Sequence, residues 1–182
     1  MTDDFDRAVS VLRNAIEAGA DDAAVRRVVT LVAEHVLPIW EAGRPNDKKV
    51  RHAVNAMKFA ATAPQTNSVI SMVADASFDA GRQAYSFGVN MTDRETILSR
   101  SAEVVMHAAR ACGSWDCARG YAEAALLNAE RAVAANAKHD VFSAAKPGLP
   151  RLADLDAASA AAVDALVAVV RRGLEPADGA AP

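Results

Sequence analysis

The chain has 182 residues, 52% of them hydrophobic but only 5% aromatic, with a formal net charge of −3. A domain of this length buries roughly 70% of its unfolded surface, so a core can form without metal or disulfide. The acidic balance argues against a general nucleic-acid binder, which carries a basic excess, and no apolar run reaches the ~18 residues of a membrane span.

Alanine fills close to a quarter of the positions, and it is the strongest helix former. An all-α protein is therefore expected. The first helix is predicted from about Asp3 to Ala18, where Phe5, Val9, Leu12 and Ile16 form one apolar stripe. Thr2 is its expected cap and Gly19 its stop. Asp3, Asp4 and Asp6 stand where a signal peptide would be basic, so a soluble, cytoplasmic protein is expected. Asp21 or Asp22 opens a second helix lined by Val25, Val28, Val29, Val32, Val36 and Ile39, with Pro38 expected to bend or end it.

A turn containing Gly43, Pro45 and Asn46 follows. Asn46 is the expected cap of a third helix carrying Val50, Ala53, Val54, Met57 and Ala60, which stops before Pro64. Thr66 to Ser68 opens a fourth through Val69, Val73, Ala76 and Phe78, with a break near Gly81. Thr92 and Glu95 have the spacing of a capping box and start a fifth helix that ends at Gly113. Ser114 is the expected cap of a sixth, with Asp116 in its first turn. "KPGLP" (Lys146 to Pro150) breaks the chain before a last helix from Leu152 to Arg172, with Gly173 beyond its end. The expected organisation is a single bundle of about seven helices over residues 1–174 and a loose tail over 175–182.

Few residues form a pattern that chemistry would need. The histidines are His35, His52, His107 and His139. Glu103 and His107 lie one helical turn apart, a spacing read as a surface pair, because a di-iron bundle needs paired Glu-x-x-His motifs. Cys112 and Cys117 are spaced C-x4-C, which is neither a redox nor a zinc pattern, and are read as structural thiols. No metal and no cofactor are expected. Asp75, Asp79 and Arg82 share one face of the fourth helix. With Tyr85 and His107, and with Trp40 and Trp115 as walls, they make up an alternative reading, a small-molecule or enzymatic site between helices.

The charge is unevenly placed. Residues 44–58 hold Arg44, Lys48, Lys49, Arg51 and Lys58 against Asp47 alone, whereas residues 1–22 hold six acids against Arg7 and Arg13. Opposite-signed patches of this kind steer partners.

The stretch "HVLPIWEAGRPNDKKVRHAVNAMKFA" (His35 to Ala60) resembles the immunity-protein-five-like family of bacterial polymorphic toxin systems. The matching positions are Leu37, Pro38, Glu41, Pro45, Asn46, Asp47, Lys48, Arg51 and Ala53. The family's turn usually continues Arg-Pro-Arg, where this chain has Lys49-Val50-Arg51. The later "MHAARACGSWDCARGYAEAALLNAERAVAA" is similar to the family's Ala-rich helices in composition. The resemblance implies an all-α protein that binds a cognate toxin domain and neutralises it by occlusion, without catalysis or cofactor.

Two faces are candidates for that partner: the acidic first helix (Asp3, Asp4, Asp6, Glu17), and the basic turn with Glu41, Arg44, Asn46, Asp47, Lys48, Lys49, Arg51 and His52. The turn also has a structural reading, in which Asp47 caps the third helix while Arg51 or Lys48 pairs with Glu41.

Overall fold

A computed structural model of the chain describes residues 6–64, 66–87, 91–113, 118–145 and 149–176. Among these residues there are seven helices and no strand: α1 (Arg7–Glu17), α2 (Asp22–Gly43), α3 (Lys49–Thr62), α4 (Asn67–Ala84), α5 (Asp93–Gly113), α6 (Ala118–Ala144) and α7 (Leu152–Leu174). The expected all-α bundle is what the chain forms.

Most helix ends follow their local chemistry. The Asp21 carboxylate accepts from the Ala24 N–H at 2.7 Å and starts α2. The Thr92 N–H donates to Glu95 at 2.8 Å while the Glu95 N–H donates back to the Thr92 hydroxyl at 3.3 Å, a closed capping box at α5. α1 ends in a Schellman turn. Gly19 adopts φ 98°, and the N–H groups of Gly19 and Ala20 reach the Ile16 and Ala15 carbonyls at 3.0 and 2.9 Å.

The start of α1 is different. Asp6 occupies its N-cap position without a side-chain bond. The Ala8 N–H donates instead to Glu130, a fully buried residue in the middle of α6. The expected cap Thr2 and the stripe residue Phe5 lie outside the described residues, as do Ser114 and Asp116.

Three expected breaks are corrected. Pro38 does not end α2, which continues to Gly43 with Leu37 and Trp40 buried on either side of the exposed proline. Gly81 lies within α4, against the Met106 sulfur of α5. Gly173 lies within the last turn of α7, against the backbone of Val28 on α2. Both glycines let helices approach closely and break neither one.

The core is continuous and built mainly from Ala, Val and Leu. α2, α5 and α6 form its centre, with α7 and α1 on the α2–α6 side. α3 packs on α2, α4 and α5, and α4 packs on α3 and α5, so this helix pair lies at the edge. Buried hydroxyls join neighbouring helices: Ser99 donates to the Ala84 carbonyl at 2.8 Å and Ser77 to the Met106 carbonyl at 3.2 Å.

Candidate functional site: the turn between α2 and α3

Arg51 on α3 forms a two-pronged ion pair with Glu41 on α2. Two turns further along each helix, Lys58 pairs with Glu34 at 2.7 Å. The equal spacing, run in opposite directions, sets α2 and α3 as an antiparallel hairpin. One Asp47 carboxylate oxygen accepts from the Lys49 N–H at 2.9 Å, and the Lys48 ammonium donates to the Pro45 carbonyl at 2.8 Å. Asp47 thus holds the start of α3, and the expected cap Asn46 is exposed before it. The turn packs on α5 through Gly43, where an added Cβ would meet Leu98 at 2.6 Å. Arg44 lies 4.9 Å above the ring of Phe87, which stands nearly perpendicular to the Trp40 ring at 6.4 Å between centroids.

The positive charge of this region is therefore divided. Arg51 and Lys58 are neutralised by α2. Arg44, Lys48, Lys49 and His52 remain exposed, and with Gly43, Pro45, Asn46 and Asp47 they line an open concavity of about 620 Å³. Among the described residues none of Arg44, Lys48, Lys49 and His52 takes part in an ion pair. The stapled backbone fixes where these side chains start, while the long lysines still lose rotamer freedom on taking a carboxylate.

The residues of the alternative site are dispersed. Asp75 and Asp79 line a groove between α3 and α4, whereas Arg82 and Tyr85 are exposed and outside its lining. His107 lies on the α5–α6 side, stacked at 6.3 Å on Tyr121. Trp40 is buried in the core, and Trp115 lies outside the described residues.

Glu103 and His107 are not the expected surface pair, since both are half-buried. Desolvation, followed by Arg110, holds His107 below the usual histidine range, while desolvation raises Glu103. No metal-ligating cluster occurs among the described residues. Cys112 is buried beside the Thr30 hydroxyl at 3.8 Å, and burial pushes its thiol up to about 11, so at neutral pH it is a thiol and not a nucleophile. Cys117 lies outside the described residues.

Glu130 is the residue that sequence reasoning missed. One oxygen caps α1, and the other has no partner among the described residues. Its only sequence signal is an acid at a position where the Ala125, Ala129 and Val133 stripe faces the core.

No protein-family model, curated protein or solved structure matches the chain. No helix among the described residues is long and apolar enough to cross a membrane.

Proposed function

We propose that this chain is an immunity-type protein that binds a toxin domain and blocks it by occlusion, with the α2–α3 turn meeting an acidic surface of that partner. The observation that carries this reading is the division of charge at the turn. Glu41, Asp47 and Arg51, three positions of the family resemblance, hold the hairpin, while Arg44, Lys48, Lys49 and His52 are left exposed around one concavity. A fixed cationic edge of this kind raises the rate of encounter with an acidic partner, and that gain falls with ionic strength. The acidic first helix is the other candidate face; its described acids, Asp6 and Glu17, stand at opposite ends of α1 and not in one cluster.

The test uses the toxin domain encoded beside this chain's gene. Stopped-flow association is measured for the wild type, for K48E/K49E, and for D3K/D4K/D6K. Arg51 is left intact because its loss would disturb the hairpin itself. At low salt the turn variant is expected to associate about tenfold more slowly or worse, and the α1 variant to match the wild type. Unchanged association of the turn variant removes the turn from the interface. Absence of any complex with the wild type removes the immunity reading.

A further inference from the structure

The concavity at the turn does not end there. Lys49 and His52 also line a groove of about 430 Å³ between α3 and α4. Met72 and Asp75 carry that surface on across α4 towards Asn67. The groove has an apolar floor of Ala53, Ala56, Met72 and Ala76, with Phe59 at 56% exposure among its lining residues. Its two rims differ in charge: Lys49, next to His52, on α3, and Asp75 and Asp79 on α4. Among the described residues neither Lys49 nor the two aspartates form an ion pair. Phe78, at 66% exposure, adds a further apolar side chain to the outer surface of α4. Exposed aromatic side chains beside charged rims are the composition of an interaction surface.

We propose that this groove seats an amphipathic helix of the protein partner. The apolar stripe of that helix covers the Ala56–Met72 floor, its acidic flank lies along α3 and its basic flank along α4. The inference rests on the interaction reading above and adds the element of the partner that is recognised. Helix-in-groove binding places apolar anchors at three- and four-residue spacing into such a floor. The charged rims then select among amphipathic helices: one with acids on both flanks would oppose Asp75 and Asp79, and one with bases on both would oppose Lys49.

The test uses the intact chain and two labelled peptides of ~18 residues, about five helical turns, with identical composition. Both carry a Leu/Ala stripe. In one, all Glu lie on one flank and all Lys on the other; in the second, Glu and Lys alternate on both flanks. Fluorescence anisotropy at low salt is expected to show the segregated peptide binding at least tenfold more tightly. D75K/D79K is expected to abolish that preference and to favour a peptide with Glu on both flanks. A56W, which fills the partly exposed floor, is expected to abolish binding while its circular dichroism spectrum stays that of the wild type. Equal binding of the two peptides, unchanged binding by A56W, or no binding up to ~1 mM overturns the proposal. The groove and the turn fail separately: if the peptides do not bind while K48E/K49E still slows the toxin domain, the immunity reading stands and the groove is not its seat.

Discussion

At Gly173 a Cβ would stand 2.8 Å from the Val28 Cα and 3.1 Å from its backbone nitrogen. Backbone cannot rotate away as a side chain can, so G173A is expected to destabilise by ~1–3 kcal/mol. Gly120 on α6 meets nothing within 4 Å, and G120A is expected to stabilise by ~0.5–1 kcal/mol. Denaturant unfolding of the two variants checks both signs. Glu130 presents the opposite problem, an acid inside the core. Desolvation raises its carboxyl, outweighing the Ala8 N–H that lowers it. The folded state therefore holds this proton more tightly than the unfolded state. Stability contributed by the protonated form falls as pH rises from the ordinary carboxylate range through the raised value. E130Q is expected to flatten that part of the stability–pH curve. E130A is expected to cost ~1–3 kcal/mol at low pH by leaving the buried Ala8 N–H without an acceptor, and less as pH rises and the wild type loses its own pH-dependent stability. A curve of unchanged slope in E130Q would rule out Glu130 as its source.

At the scale of elements, the α2–α3 hairpin is held by the Glu41–Arg51 and Glu34–Lys58 pairs and by the Asp47 bond to the Lys49 N–H. D47A is expected to lower stability by ~0.5–2 kcal/mol through loss of a helix-start acceptor, read from a thermal melt. E41Q, R51M and their double variant should be less than additive, with a coupling that shrinks in added salt because the pair is largely solvated. Additive effects would show that the two side chains do not cooperate. The α5 capping box has a pH signature opposite to that of Glu130. The Thr92 N–H, followed by its hydroxyl, holds Glu95 below the usual carboxylate range. Its contribution is present above the ordinary range and is lost as pH falls through the lowered value, and E95Q should remove that acid-side loss.

For the whole molecule, burial is uneven. α5 and α6 lie at the centre with α2, and α5 buries residues on most of its circumference, from Ile97 to Cys112. α3 and α4 pack against fewer helices and keep Phe59, Phe78 and the groove open on their outer side. Local opening follows such differences in packing. Native-state hydrogen exchange is expected to protect the amides of α2, α5 and α6 most and those of α1, α3 and α4 less. Uniform protection across all helices would contradict this ordering. Adjustable outer helices on a rigid base also suit a surface that receives a partner's helix.

Much of the architecture was legible in the residues alone. Alanine content, the apolar stripes and short-range caps such as Asp21, Thr92 and Glu95 act within a few residues, and the helices they announce are the helices observed. The turn offered Glu41 either Arg51 or Lys48 as a partner, and Arg51 is the one it pairs with. Gly81 and Gly173 were misread as breaks because their roles depend on packing partners on other helices, Met106 and Val28, and Pro38 does not end α2. Glu130 was invisible because the amide that it caps lies 122 residues away. The dispersal of Asp75, Asp79, Arg82, Tyr85 and His107 has the same origin. Helical spacing fixes which side chains share a face of one helix, but the faces that meet are chosen when whole helices compete to bury apolar surface. Composition and local periodicity determined the seven helices and the basic turn. Tertiary packing alone decided which of the turn's charges are spent in pairs and which face solvent, and it opened the α3–α4 groove beside them.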